Sequence, residues 1–423
     1  MQFISEGKII ALKNTNGYLL SCDATNKTAI EQLRKRKQRP NKPFAVLYPD
    51  IKAIKNDFIV AKNEEKSLES RIAPIVVLQN TKNTSISINA IAPNLNQTGV
   101  MLPSSSLLEL IMHKLQKPII ATSGNIHGLP IISEVKEAQE KLKNIDDYFL
   151  HHNLKVEFPQ DDSVLKFTNE QQIILRRSRG LAPNYLEIKI SKTEPVLAMG
   201  AHLKSTFTFV TNKHTYVSQY FGNLDSYEVL ERYKKAINQY QNLFNSKPKT
   251  ILVDKHSQYQ SSMLGKELAL NYKANTIQIQ HHKAHFASAL GEHTLFDSKE
   301  KIMGVIWDGT GLGDDNNIWG GEFFTYQDNE IERVNHFEYF DWIANDKMAK
   351  EPRLSLFSLL NYDNKNLIKD KFSATEWKLY HKIVSNNKLK TSSVGRLFDA
   401  IASALDIISK AHIASSFIYT LAK

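Results

Sequence analysis

Residues 301–328 read KIMGVIWDGTGLGDDNNIWGGEFFTYQD, and residues 276–285 before them read TIQIQHHKAH. The two apolar, β-rich runs of the longer segment predict two strands, and the Gly/Asp-rich stretch between them predicts a turn. TIQIQ predicts a further strand that continues into a helix beginning at the histidines. Strands that alternate with helices in this way are typical of an α/β fold.

The histidines in this segment are spaced like a pair of metal ligands. His281 and His285 are separated by four positions, so a helix places both imidazoles on one face. Neutral imidazole suits Zn, Fe or Ni. A histidine pair that merely caps the helix or lines a cleft is the alternative. Asp308 directly follows the strand IMGVIW, and together with the pair it favours a His/His/Asp metal site.

The glycines after Asp308 predict a second kind of contact. Gly309 and Gly311 let the backbone approach a phosphate closely, and a neighbouring carboxylate can hold a bridging metal ion. A single glycine-rich turn is a weak signal when it stands alone.

The chain before this segment predicts two regions. Roughly the first 185 residues alternate strands such as GYLLSCD and KPIIATSG with helices such as TNKTAIEQLRKRKQ, for which Thr25 or Asn26 is the predicted cap. A boundary is predicted near residues 186–194. Strands then resume, and an amphipathic helix follows, with apolar residues at helical spacing from Val229 to Phe244. The chain after residue 328 is predicted to be mainly helical to its end.

Two stretches of the first region predict an anion site. Residues 34–42 carry six cations, namely Arg34, Lys35, Arg36, Lys37, Arg39 and Lys42. Such a cluster suits phosphates, although a solvated helix end is the commoner explanation of charge alone. The second stretch is Ala121-Thr122-Ser123-Gly124-Asn125, whose backbone and side-chain donors can cradle a phosphate or a small planar substrate. As a plain turn it is equally ordinary.

Composition restricts the partners. The formal net charge of +10 favours nucleotides, phosphates or RNA. Cys22 is the single cysteine, which excludes an internal disulfide and a Cys-rich zinc site, and we expect it to be a buried thiol. No apolar run approaches the roughly 18 residues of a membrane helix, and the first residues lack the features of a signal peptide. We therefore expect a cytoplasmic protein with no membrane partner.

Taken in order, these segments resemble the HypF-type carbamoyltransferases of NiFe-hydrogenase maturation. LSCDATNKTAIEQLRKRKQRPNKPFAVL, IIATSGNIHGLPI and ILRRSRGLAPN are similar to the YrdC-like domain of that family. VLAMGAHLKSTF, QHHKAHFAS, WDGTGLGDDNNIWGGEF and GRLFDAIASAL are similar to its Kae1-like domain. The resemblance implies an α/β protein, with an α+β YrdC-like domain at residues 1–188. An incomplete actin/Hsp70-like domain of the Kae1 type is implied at residues 194–423.

The resemblance also implies an activity. ATP, with Mg²⁺, and carbamate would form carbamoyl-adenylate in the first domain, and the second would transfer the carbamoyl group to the C-terminal cysteine of a HypE-type partner. Carbamoyl phosphate or carbamate would be the substrate, and RNA is a weaker candidate partner. The implied catalytic and nucleotide-binding residues are Lys37, Arg39, Lys42, Ser123 and Asn125, joined by Gly309 and Gly311. The implied ligands of a divalent Fe or Zn ion are His281, His285 and Asp308.

Several departures from the family shape these expectations. We expect no acylphosphatase-like or zinc-finger domain, a shortened second actin-like lobe, and consequently a weak metal site. A related enzyme of tRNA threonylcarbamoylation is one alternative, and a non-catalytic remnant that binds RNA or nucleotide is another. The phrases KPFAVL, DDSVL and GRLFDA favour the HypF type.

Overall fold

The computed structural model describes residues 1–126, 128–186 and 194–408. These form two compact units. The first consists of Met1–Leu252 and Tyr259–Thr276, and the second of Val253–Gln258 and the residues from Ile277 onward. The predicted boundary at residues 186–194 falls largely outside the described residues. The predicted helical tail is described as far as residue 408, and it is mainly helical from residue 346 to residue 404, although three short strands also lie between residues 330 and 391. The units do not divide at that boundary, so the domain limits 1–188 and 194–423 stay a prediction.

A ten-stranded sheet dominates the first unit. Its order is β10-β9-β5-β6-β3-β7-β2-β1-β8, with β4 paired to β5. The strands are β1 Ile10–Asn14, β2 Gly17–Ser21, β3 Ala45–Leu47, β4 Phe58–Ile59, β5 Ile75–Asn80, β6 Gln97–Met101, β7 Ile119–Ser123, β8 Tyr148–Leu150, β9 Val164–Thr168 and β10 Gln171–Arg176. The helices are α1 Gln2–Ser5, α2 Lys27–Arg36, α3 Ile51–Asp57, α4 Lys62–Leu68, α5 Ile88–Ile91, α6 Ser106–Leu115 and α7 Val135–Lys141.

The central strands of this sheet are buried on both faces, whereas β8 and β10 at its edges are largely exposed. Alternate residues of a strand point to opposite sides, so Ile120 joins one apolar cluster while Ile119 joins another. Helix α2 packs Leu33 into the first cluster, and α6 packs Met112 into the second. Asn26 caps α2 by accepting from the Ala29 N–H, as one of the two predicted caps. Cys22 is fully buried, as predicted.

A six-stranded sheet follows, in the order β11-β14-β13-β12-β15-β16. Its strands are β11 Tyr185–Leu186, β12 Val196–Ala198, β13 Thr208–Thr211, β14 His214–Val217, β15 Thr250–Asp254 and β16 Asn275–Ile279. The helices are α8 Tyr227–Phe244 and α9 Gln260–Tyr272. Helix α8 buries most of its predicted apolar face, including Tyr233 and Ile237, but leaves Leu243 exposed. The chain passes into the second unit within β15 and again within β16.

The second unit contains a five-stranded sheet in the order β17-β18-β21-β20, with β19 paired to β18. The strands are β17 Ile302–Leu312, β18 Ile318–Gln327, β19 Glu330–His336, β20 Phe340–Asp341 and β21 Lys390–Thr391. The helices are α10 His281–Glu292, α11 Asp346–Lys350, α12 Pro352–Leu359, the 3-10 segment Tyr362–Lys371, α13 Ala374–Ser385 and α14 Val394–Ala404. Phe286 and Leu290 of α10 pack against Trp319 and Phe324 of the sheet.

The first strand of this sheet is longer than the sequence predicts. Strand β17 does not end before Asp308 but runs through the glycine-rich motif to Leu312, and the turn begins only at Gly313. From Trp307 to Gly311 the strand advances four residues while its partner advances two, from Gly321 to Trp319. The surplus forms a bulge, which places Asp308 in an irregular part of the strand. The prediction of a turn directly after the IMGVIW strand is therefore wrong.

No helix among the described residues is both long and apolar enough to span a bilayer.

Candidate functional site

The three predicted metal ligands converge. His281 and His285 lie one turn apart on α10, with their Nε2 atoms 3.2 Å apart. Asp308 Oδ2 lies 3.4 Å from His281 Nε2 and 3.9 Å from His285 Nε2. All three ligand atoms lie within 4.8 Å of one another. The fold thus assembles the predicted set, and ligation itself stays a prediction.

The chemistry of this cluster fits a divalent cation. The Oδ2 atom of Asp308 is buried, and none of the described residues gives it a hydrogen bond of normal geometry. Its Oδ1 atom accepts from the Gly309 N–H at 2.6 Å, which orients the carboxylate. Two imidazole nitrogens and one carboxylate oxygen are a donor set that proteins use for Zn and for Fe.

Asp254 orients the first histidine. This residue ends β15, and its Oδ2 lies 2.7 Å from His281 Nδ1. A carboxylate on Nδ1 holds a proton there and leaves Nε2 to face a metal. Burial alone lowers the pKa of His281, but the hydrogen bond to Asp254 and the negative charges of Asp254 and Asp308 outweigh burial and raise the pKa to about 9. A metal ion must therefore displace a proton from His281 at neutral pH.

The two glycines of the motif have different surroundings. A Cβ on Gly311 would lie 3.0 Å from His281 Cδ2 and still closer to His282 Cε1, whereas a Cβ on Gly309 would meet nothing within 4 Å. Gly311 is thus required for α10 to pack on β17. Gly309 leaves accessible backbone beside the carboxylate, and nucleotide binding by either glycine stays a prediction.

The start of α14 supports the same strand. Ser393 caps this helix, and its Oγ also lies 2.8 Å from the Gly309 carbonyl oxygen. A Cβ on Gly395 would lie 2.9 Å from Gly309 Cα. The segment SSVGRLFDA therefore holds the bulge that carries Asp308.

The predicted nucleotide site lies in the first unit. Lys37 is 4% exposed, and its Nζ donates to Ser123 O, Asn125 O and Asn125 Oδ1 at 2.6, 2.8 and 2.8 Å. Three acceptors occupy the three donors of an ammonium group. Burial, with the charge of Arg39, lowers the pKa of Lys37 to about 7. Lys37 therefore shapes the Thr-Ser-Gly-Asn loop in this structure, and its contact with phosphate stays a prediction.

The neighbouring cations differ in their freedom. Arg39 lies 3.1 Å from Thr122 Oγ1 and stacks its guanidinium over Phe44 at 4.9 Å. Lys42 is exposed. Partial desolvation by the surrounding protein nevertheless lowers the pKa of its ammonium group, and the positive charges of Arg39 and Arg176 lower it further. In the loop, Ser123 Oγ donates to Asn125 Oδ1 at 2.9 Å. Lys37 and Arg39 thus contact the loop that contains Ser123 and Asn125. Lys42 neighbours Arg39, whose Nε donates to the Lys42 carbonyl oxygen at 3.1 Å, and is the most accessible of the three cations.

Sequence reasoning missed four residues of the metal cluster: Asp254, Gln280, His282 and Ser393. An acidic residue at the end of TILVD was a usable signal for Asp254, because β15 and β16 are neighbours and β16 leads into the histidine helix. Ser393 precedes a helix and is a typical cap. Gln280 and His282 have no comparable signal, since their roles depend on side-chain packing.

Three family models match the chain. The model described as "Telomere recombination", of the Sua5, YciO and YrdC proteins, matches residues 2–178. The model "HypF Kae1-like domain" matches residues 191–292. The model "Carbamoyltransferase, Kae1-like Domain, second subdomain" matches residues 304–415.

Curated relatives match almost the whole chain. The carbamoyltransferase HypF of Synechocystis sp. is 35% identical over 433 residues, which cover 96% of this chain and 54% of the relative. The probable carbamoyltransferase HypF of Methanocaldococcus jannaschii is 35% identical over 421 residues, with the same shares. The chain therefore spans about half the length of the curated relatives it matches.

A solved structure agrees with these matches. The crystal structure of full-length HypF in the phosphate- and nucleotide-bound form superimposes with a TM-score of 0.89 at 32% identity, covering 99% of this chain and 66% of that one. Three findings show the family of the chain: the family models that match consecutive parts of the chain, the relatives that match nearly all of it, and the shared fold. The chain therefore belongs to the HypF carbamoyltransferase family.

Proposed function

We propose that this chain takes part in forming carbamoyl-adenylate from ATP and carbamate, and in transferring the carbamoyl group to an acceptor. The observation that carries the proposal is the convergence of His281, His285 and Asp308 within a segment that matches the HypF Kae1-like models. The match of residues 2–178 to the Sua5 and YrdC proteins supports the adenylate-forming step. We assign that step to residues 1–188 and the transfer to the chain from residue 194.

The first step is an exchange at phosphorus. A carbamate oxygen attacks the α-phosphorus of ATP, the bond to the bridging oxygen breaks, and pyrophosphate leaves. Mg²⁺ would neutralise part of the charge on the phosphates. Lys42 is accessible to the phosphates, and Arg39 adds positive charge beside it. Lys37 keeps the loop of Ser123 and Asn125 in the shape that receives the substrate.

The second step moves the acyl group. A thiolate of the acceptor attacks the carbamoyl carbon, a carbon–sulfur bond forms, and the carbon–oxygen bond to AMP breaks. A divalent cation held by His281, His285 and Asp308 would supply Lewis-acid polarisation. Asp254 keeps His281 oriented, and Gly309 leaves the backbone beside Asp308 accessible.

The acceptor is a further part of the proposal. We propose the terminal cysteine of a HypE-type protein in hydrogenase maturation, with carbamoyl phosphate or carbamate as the carbamoyl source. The names of the relatives support the carbamoyl group as the cargo. A peptide ending in cysteine should gain the mass of one carbamoyl group when it is incubated with the protein, ATP and carbamate.

The adenylation step has a direct test. We expect AMP and pyrophosphate from ATP when carbamate is present, and exchange of labelled pyrophosphate into ATP. Lys42→Ala should slow both, because it removes an accessible cation. Lys35→Ala is the matched control, since it deletes the same charge from an exposed position on α2. Absence of AMP with both carbamate and carbamoyl phosphate, from folded protein, would contradict the proposal.

A further inference from the structure

His282 lies beside the metal cluster but outside the predicted ligand set. Its side chain is fully buried on α10, and its ring centroid lies 5.9 Å from that of Trp319. The Nε2 atom lies 3.7 Å from Asp308 Oδ2. Within the described part of the chain neither atom has a hydrogen-bond partner. Two buried polar atoms without partners therefore face each other.

Gln280 determines which nitrogen of His282 carries the proton. The Oε1 atom of Gln280 accepts from the Lys283 N–H at 2.9 Å, and its Nε2 donates to Leu312 O at 2.9 Å. These two backbone partners leave only one orientation for the amide. The amide nitrogen consequently lies 3.1 Å from His282 Nδ1.

An amide NH₂ group can donate but cannot accept. His282 Nδ1 must therefore be the acceptor, and it carries no hydrogen. A neutral imidazole has one proton, so that proton is on Nε2, the atom that faces Asp308. His281 is arranged the opposite way, because Asp254 accepts from its Nδ1. Adjacent histidines thus present a metal-ligating nitrogen and an N–H donor to the same carboxylate.

We propose that His282 is a positioning residue whose Nε2–H, directed by Gln280, holds the carboxylate of Asp308 for metal binding. The role rests on the metal site of the proposed function. The Gly309 N–H holds Oδ1. A hydrogen bond from His282 Nε2–H would hold Oδ2 through one lone pair and leave the other lone pair for the metal. The two atoms lie 3.7 Å apart in this structure, so the role requires the carboxylate to move toward His282 when the site is occupied.

The proton position can be read by NMR in the full chain without added metal. Histidine labelled with ¹⁵N on the ring gives long-range ¹H–¹⁵N correlations that separate protonated from unprotonated nitrogens. The His282 signals are those lost in a His282→Gln variant. We expect a protonated Nε2 and an unprotonated Nδ1. A proton on Nδ1, alone or together with one on Nε2, overturns the inference.

Zinc titration tests the consequence for the site. His282→Leu removes the donor, and we expect affinity for Zn²⁺ to fall about 10–100-fold, as losses of supporting partners typically do. His282→Gln offers an amide N–H in place of Nε2–H and should retain most of the affinity. His293→Leu, at the exposed end of α10, is the matched control for loss of a surface histidine.

The outcomes are distinct. Equal loss in the Leu and Gln variants makes His282 a ligand and overturns its positioning role. Unchanged affinity in the Leu variant overturns it as well. Absence of zinc binding by the unaltered protein overturns the metal site together with this role, whereas the NMR result still reports the tautomer. Thermal unfolding of each variant shows whether the second unit remains folded, and the NMR measurement on unaltered protein decides the matter if the Leu variant does not fold.

Discussion

Gly311→Ala should disable the metal cluster, and Gly309→Ala should leave it intact. The two glycines are two positions apart in the bulge of β17, and neither has a positive φ. The two substitutions therefore differ mainly in the space available around the new Cβ atom. At Gly311 that atom would lie 3.0 Å from His281 Cδ2 and closer still to His282 Cε1, so both rings must shift. At Gly309 no atom lies within 4 Å of it.

The magnitude follows from the cost of overpacking. An added methyl group in a filled site typically costs about 1–3 kcal/mol. For a unit of this size each kcal/mol lowers the melting temperature by about 2–4 °C. Displacement of His281 should also weaken Zn²⁺ binding by at least the roughly 10–100-fold expected for a lost supporting contact. Gly309→Ala should change neither quantity measurably.

Two measurements on the unaltered protein and the two variants test this prediction. Calorimetric titration with Zn²⁺ measures the change in zinc affinity, and thermal unfolding measures the change in melting temperature. Equal behaviour of the two variants would show that the packing of α10 on β17 does not limit the site. Normal zinc affinity in Gly311→Ala would refute the reasoning directly, because the ring positions would then be irrelevant to binding.

Three further outcomes are expected. Asp254→Asn should weaken Zn²⁺ binding about 10–100-fold, since an amide orients His281 less firmly than a carboxylate does, and zinc titration measures the loss. Zinc affinity should fall as the pH drops below about 9, by up to about tenfold per pH unit, because protons compete with the metal for His281, whose pKa is raised. Titrations in buffers of different ionisation enthalpy should show that zinc binding releases protons. An affinity that does not depend on pH would exclude His281 as a ligand. Lys37→Ala should lower ATP affinity at least tenfold by releasing the Thr-Ser-Gly-Asn loop, and equal ATP affinity in Lys37→Ala and Lys35→Ala would contradict a role for Lys37.

Much of the fold was predictable because its signals are local. Strands β7 and β15 each follow from a few neighbouring residues, and so do the cap at Asn26 and the apolar face of α8. The limit of β17 was predicted wrongly, because glycines usually mark turns. In this sheet they instead permit a bulge and the close approach of α10, which only the partner strand and helix reveal.

The candidate metal set also has a local origin. Four-residue spacing on a helix puts His281 and His285 side by side whatever surrounds them. The sequence therefore determined which side chains are available as ligands. It also determined that the YrdC-like segments precede the Kae1-like segments.

Only the tertiary structure decided how those side chains are held. Asp254 contacts His281 because β15 and β16 are neighbours. Gln280 directs the proton of His282 because Leu312 and Lys283 orient the Gln280 amide. Lys37 points to the Thr-Ser-Gly-Asn loop rather than to solvent. Hydrogen-bond direction, tautomer and burial depend on atoms that are distant along the chain. The spacing of residues along the chain does not contain this information, because it reflects only neighbours in sequence and not neighbours in space.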